Sequence, residues 1–211
     1  MLNRTDSDTG TMNIQPPPVF TNMSSDCKPI ACKSRRHSKE DMEFIRKEKD
    51  RLLKKGIIEP SVSPWRAQVL VVSKGKKRMV IDFSQTVNIF TEQDAYPMPR
   101  IDDMVNEISK YKYFTTLDLE SAYHQLPLRP EERLYTAFEI DGELFQFTRV
   151  PFGVTNGSAA FQRVMDYIIK TENLKDTFAY ADNITICGKT EEEHNYNLQQ
   201  FDSCYQVQHE I

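Results

Sequence analysis

No run of roughly 18 apolar residues occurs in this chain of 211 residues, so no segment reads as a transmembrane helix. The N-terminus, Met1 to Gln15, is polar and lacks the apolar core of a signal peptide. Cysteine is sparse: Cys27, Cys32, Cys187 and Cys204 are scattered, with spacings that match no zinc pattern and suggest no disulfide scaffold. There is no internal repeat. The plain reading is a reduced, intracellular chain, cytoplasmic in the first instance with the nucleus left open, and without a membrane partner.

A net positive charge is also missing. The formal balance is −4, which by itself argues against nucleic acid. The distribution argues otherwise. Residues 27–80 hold 16 Lys and Arg against 6 Asp and Glu, whereas residues 81–211 hold 10 against 22. A basic part joined to an acidic part suits a protein that grips phosphates with one and gathers cations with the other. A charged helix surface explains the basic excess equally well, since much of it lies in Arg46–Lys55.

Residues 1–26 read as disordered: Pro16-Pro17-Pro18 and many small polar residues, with no periodicity. A helix follows, capped by Ser38 with Asp41 in the capping-box position, with Met42, Ile45, Leu52 and Leu53 on one apolar stripe and Gly56 as its left-handed stop. Ala67–Val72 and Met79–Phe83 form a hairpin around the cationic turn Lys74 to Arg78. Pro99 opens a helix whose Ile101, Met104, Val105 and Ile108 are spaced for one buried face. Asp141-Gly142 joins two further strands. A helix over 158–170 turns Phe161, Val164, Ile168 and Ile169 inward, and Thr190 with Glu193 caps a last helix carrying Leu198 and Phe201. The order gives an α+β fold with an antiparallel or mixed sheet.

Two aspartates stand out. Asp118 lies in Thr115-Thr116-Leu117-Asp118-Leu119, and Asp182 in Phe178-Ala179-Tyr180-Ala181-Asp182-Asn183-Ile184. Both segments read as strands. A carboxylate inside such a strand is costly to desolvate unless paired, and two converging carboxylates are best paired by a divalent cation. Phosphoryl transfer needs charge neutralised on the attacking and leaving oxygens, which two metal ions held by carboxylates accomplish. Mg²⁺ needs only a few carboxylates besides phosphates and waters. A basic hairpin across the cleft would meet a triphosphate or a nucleic-acid backbone. The residues alone leave other readings standing: Tyr123, Phe152 and Tyr180 as core aromatics, Lys74 to Arg78 as a solubilising turn, and Asp118 as a cap or the partner of a buried arginine.

Several blocks then agree in order: Gly56-Ile57-Ile58-Glu59-Pro60, Arg78-Met79-Val80-Ile81-Asp82-Phe83, Tyr96-Pro97-Met98-Pro99-Arg100, Leu117-Asp118-Leu119-Glu120-Ser121-Ala122-Tyr123-His124-Gln125, Val150-Pro151-Phe152-Gly153, Phe161-Gln162 and Tyr180-Ala181-Asp182-Asn183. Together, from about Lys28 to Phe201, they resemble the reverse transcriptase domain of Ty3/gypsy-type LTR retrotransposons. The resemblance implies a polymerase palm with an antiparallel sheet and helices on one face, plus fingers, with the thumb missing. It divides the chain into fingers over 27–93 and 126–151, palm over 94–125 and 152–201, and a divergent tail over 202–211.

The same resemblance implies roles. Asp118, the Leu119 carbonyl and Asp182 would hold two Mg²⁺ ions, with Mn²⁺ as a substitute, and Asp182 would sit at a tight hairpin. Asn183 would stand where a further aspartate is usual, keeping an oxygen ligand and losing a charge. Ser121 and Ala122 amides, Arg78 and Lys74 would face the triphosphate. Tyr123 would exclude a 2′-hydroxyl, with Phe152 beside the sugar. Tyr180 and Ala181 would lie near the primer end. Gly157-Ser158 replaces a commoner Ala-Pro or Gly-Pro, a minor change on this reading. The implied activity is RNA-directed DNA synthesis from deoxynucleotides on a primed RNA or DNA template, within a Pol polyprotein that also carries ribonuclease H and integrase. The competing expectation is a silent, truncated relic or a co-opted nucleic-acid-binding module.

Overall fold

The computed structural model describes residues 15–20, 23–73 and 75–207. Lys74 therefore lies outside the described residues.

Helix α1 (Lys39–Lys54) starts where the sequence dictates: the Asp41 amide donates to Ser38 Oγ at 3.0 Å. It ends at Gly56, which adopts a left-handed φ of 63°. Its buried side chains are Ile45 and Leu52, each contributing about 1.5–3 kcal/mol by leaving water. Strand β1 (Ile58–Pro60) follows, then the hairpin β2 (Gln68–Val72) and β3 (Arg78–Asp82). Strands β5 (Phe138–Ile140) and β6 (Glu143–Phe147) flank Asp141-Gly142. Both turn residues have positive φ, 54° and 81°, the pattern that twists with a two-residue hairpin. Strand β6 lies between β1 and β5, all antiparallel, so this small sheet joins two distant parts of the chain. Trp65, Phe138, Phe145 and Phe147 fill the core beside it.

The third sheet has the order β4 (Tyr113–Asp118), β8 (Asn183–Gly188), β7 (Thr177–Tyr180). Helix α3 (Gly157–Thr171) packs against β7, and α4 (Glu191–Val207) against β8 and β4. Alternation explains the layering: Ile184, Ile186 and Ala179 are buried, while Asn183 and Thr116 are exposed. Gly188 is obligatory. A Cβ there would come within 2.3 Å of the His194 amide nitrogen, so only glycine lets α4 fold back this closely.

The structure corrects four expectations. Where the segment expected to be disordered is described, it is packed: Val19 and Phe20 are core residues, and their amides donate to the Glu132 carboxylate at 3.2 and 2.8 Å. Residues 1–14 lie outside the described residues. Helix α2 (Ile101–Ile108) buries no residue, and Ile101 and Val105 are each 58% exposed, because no element among the described residues covers its apolar stripe. The second aspartate segment, one strand by its composition, is two strands joined at Ala181-Asp182, the tight hairpin that the family resemblance implied. Finally, α4 continues past Phe201 to Val207. Tyr205 stacks on Phe201 and donates its hydroxyl to Gln125 Oε1 at 2.6 Å, so Tyr205 docks this last part of α4 against the body of the fold.

Candidate active site

Strand β4 delivers Asp118 as its last residue, directly opposite Asn183, the first residue of β8. One step further, the Leu119 amide donates to the Asp182 carbonyl at 3.0 Å. The pairing therefore brings Asp118, Leu119, Asp182 and Asn183 to the same end of one sheet. Tyr180 pairs with Asn183 from the other side, leaving Ala181-Asp182 as a two-residue turn. Ala181 has a φ of 49°, a left-handed value that costs a residue with a Cβ roughly 1–2 kcal/mol.

Asp118 is exposed and Asp182 only half-buried. They stand at a sheet end facing solvent, so neither needs a partner to survive desolvation. What marks them is convergence. Asn183 Nδ2 lies 3.4 Å from Asp182 Oδ1. Among the described residues no group of three His, Cys, Asp or Glu could hold a metal ion. The donor set is two carboxylates, a carbonyl and an amide, all oxygen. That set fits a hard cation such as Mg²⁺, which takes one or two carboxylates and completes its shell with substrate and water, and it does not fit zinc.

Beyond Leu119 the chain turns through Ser121, whose φ is 51°, into a short 3₁₀ segment, Ala122–Gln125. Ala122 is buried. Tyr123 packs edge-on against Phe152 with ring centroids 4.9 Å apart and leans on Phe161 at 5.7 Å. Its hydroxyl lies 2.9 Å from Ser158 Oγ. Phe152 is 48% exposed beside Tyr123. His124 closes the cluster from behind, stacked on Phe147 and edge-on to Phe152. Burial, reinforced by the Arg51 charge, pushes its pKa down to about 4.

Arg78 stands on the other hairpin. It is exposed at the start of β3, opposite Val72, and its side chain has no hydrogen bond or ion pair among the described residues. Lys77 next to it is committed elsewhere: its ammonium bonds Glu40 at 2.7 Å and Asp41 at 2.9 Å, tying the hairpin tip to the first turn of α1. Just past the hairpin, Asn88 holds the loop that follows Phe152, donating to the Gly153 carbonyl at 2.8 Å and accepting from the Thr155 amide at 3.1 Å.

Three residues that support the site were given no role by the sequence, although Gln162 and Ser158 stand in motifs quoted above. Gln162 is fully buried and bonds the Ala181 turn. Ser158 anchors Tyr123. Asn156 ties the Asp94 amide, the Glu92 carbonyl and the Val19 carbonyl together. A polar residue on a buried helical face, between Phe161 and Val164, was the available signal for Gln162.

Residues 53–208 match the family described as reverse transcriptase (RNA-dependent DNA polymerase). The match runs through α4, so the family pattern does not stop at Phe201. The Retrovirus-related Pol polyprotein from transposon gypsy of Drosophila melanogaster is 39% identical over 160 residues, which is 72% of this chain and 15% of that polyprotein. A crystal structure of prototype foamy virus protease-reverse transcriptase superposes with a TM-score of 0.83 at 27% identity, covering 95% of this chain and 26% of that one. The foamy viral protease-reverse transcriptase in complex with an RNA/DNA hybrid has the same fold, with a TM-score of 0.82 at 23% identity over 95% of this chain and 26% of that one. The three sheets and their helices thus have the palm and fingers architecture of those structures. The chain spans well under a third of the length of each of these proteins, and it belongs to the reverse transcriptase family, as a domain related to those of retrotransposon and retroviral Pol polyproteins.

Proposed function

We propose that this domain carries out RNA-directed DNA synthesis, joining a deoxynucleotide to a primer 3′-hydroxyl on an RNA or DNA template. The observation that supports this most is the meeting of Asp118 and Asp182 at one sheet end, fixed by the Asp118–Asn183 pairing and the Leu119–Asp182 bond. Asp118, Asp182 and the Leu119 carbonyl are the residues that would hold Mg²⁺, or Mn²⁺ in its place, with the Asn183 amide oxygen as a further donor. When bound, the ions supply neutralising charge to the attacking and leaving oxygens.

The chain's own residues do the positioning. Arg78, without a side-chain partner among the described residues, offers a forked donor to the triphosphate from the fingers hairpin. Lys74 adds a second cation in this reading. The Ser121 and Ala122 amides face the phosphates. Tyr123, held against Phe152 and Ser158, places a rigid ring under the sugar, where a 2′-hydroxyl would collide. Phe152 flanks the sugar, while Tyr180 and Ala181 border the primer end. In this scheme residues 27–93 and 126–151 are fingers, 94–125 with 152–201 are palm, and 202–211 are a tail; the sheet that joins β1 to β5 and β6 supports the first grouping. Ribonuclease H and integrase would be neighbours within a Pol polyprotein.

Purified protein should extend a primed RNA template with Mg²⁺ or Mn²⁺, and Asp118→Asn should abolish the signal. Absence of extension, persisting after Asn183→Asp, would sink the reading. A second reading has one observation in its favour: no third carboxylate stands at the site among the described residues. In that case the domain binds nucleic acid without synthesis, seen as salt-dependent binding with no incorporation.

A further inference from the structure

We infer that Gln162 and Asp166 are positioning residues that hold the Ala181-Asp182 turn in shape. Gln162, on α3, is 0% exposed. Its Oε1 accepts from the Ala181 amide at 3.0 Å, and its Nε2 donates to the Ala179 carbonyl at 3.0 Å and to Asp166 Oδ1 at 2.9 Å. The polarity admits no inversion. Ala179 and Asp166 offer only acceptors and Ala181 only a donor, so the amide fits one way round. Asp166 is fixed in turn by the Tyr96 hydroxyl at 2.6 Å. Tyr96 lies under the Arg163 guanidinium, which pairs with Asp94.

The target of this chain of bonds is a strained residue. Ala181 has a left-handed φ of 49°, and it precedes Asp182 directly. A turn with a Cβ in that region relaxes unless its surroundings over-determine it. Gln162 grips both flanks of Tyr180, at Ala179 and Ala181, and so fixes the direction in which Asp182 leaves the turn. The bearing on Asp182 rests on the metal-binding reading above; the grip itself does not.

The test is hydrogen exchange at the Ala181 amide, read by NMR on the full chain, together with Mn²⁺ affinity from water proton relaxation. Gln162→Glu keeps the side-chain volume and reverses its polarity towards Ala179 and Asp166. Protection of Ala181, corrected for intrinsic exchange, should fall about tenfold at neutral pH, and Mn²⁺ affinity should fall with it. The protection should recover as the pH is lowered and the new acid gains a proton to donate, which a residue that only fills space would not produce. Asp166→Ala, on the half-buried side of α3, leaves Gln162 in place and should lower protection about threefold. It decides the matter alone where Gln162→Glu does not fold. Unchanged Ala181 protection in the folded variants overturns the inference. The exchange readout needs no catalysis, so a chain that extends no primer can still pass it, and a chain that polymerises can still fail it.

Discussion

Asp118 faces Asn183 directly across the β4–β8 pairing, so a carboxylate at position 183 would complete a triangle with Asp118 and Asp182. With an amide at 183, this sheet end carries two carboxylates from these three residues, not three. Asn183→Asp should tighten Mn²⁺ binding about tenfold, because one added charge near a divalent ion is worth ~1 kcal/mol or more even in water-like surroundings. The same substitution places like charges side by side and should lower Tm without metal. Calorimetric titration with Mn²⁺, and melting with and without it, check both. Equal affinity in the two proteins would mean that Asn183 does not face the ion.

Ser158 and Tyr123 make the second prediction. Their hydroxyls lie 2.9 Å apart at an exposed position, so Ser158→Ala should cost stability no more than about 1 kcal/mol. Its effect on selectivity should be larger than its effect on folding. The ring, still packed on Phe152 and Phe161, loses the bond that fixes its tilt. The ratio of kcat/KM for deoxynucleotides over ribonucleotides should drop several-fold in Ser158→Ala and much further in Tyr123→Ala. An unchanged ratio in both removes Tyr123 from sugar selection.

These two cases show what the sequence carried. Local rules were legible: the Ser38 cap, the Gly56 stop, the Asp141-Gly142 turn and the apolar face of α3 depend on neighbours within a few residues. Asp118 and Asp182 were legible as a pair, but their burial was not. Strand composition cannot tell a strand interior from a strand end, and both residues lie at ends. Long-range polar partners were invisible for a similar reason. Ser158 lies 35 positions from Tyr123 and Gln162 lies 19 from Ala181, and no local periodicity encodes either meeting. Val19 and Phe20 failed to register because two apolar residues in a polar, proline-bearing segment make no period. Their burial depends on Glu132, more than a hundred residues away.

Glu132 gives a pH prediction. Burial pushes its carboxyl above the ordinary range, against the pull of the Phe20 and Val19 amides, and Oε2 has no partner among the described residues. A raised folded pKa means that the folded state holds the proton more tightly than the unfolded chain. The contribution of Glu132 is therefore fully present below its unfolded pKa and is lost as pH rises through the folded one. Glu132→Gln keeps an acceptor for the two amides and does not ionise. Its Tm should exceed that of the unsubstituted protein at neutral pH, and the gap should close below about pH 4.5. A gap independent of pH would show that the carboxyl carries no charge penalty.

His124 gives the opposite slope. Its folded pKa is pushed down to about 4, chiefly by burial between Phe147 and Phe152 and then by the Arg51 charge. The unfolded chain binds this proton near pH 6.5, so stability from His124 is intact above that value and is lost as pH falls towards the folded pKa. His124→Phe cannot be protonated and should flatten that part of the acid limb. The ring should also stay neutral across the working range, so its carbon-bound protons should show no titration by NMR between pH 5.5 and 8, on the order of a unit or more above its folded pKa. Extension activity over the same range should then owe none of its pH dependence to His124, although the ring touches Phe152. A titration midpoint near 6.5 would mean that the aromatic cluster opens to water, and Phe152 would lose the rigid backing this arrangement gives it.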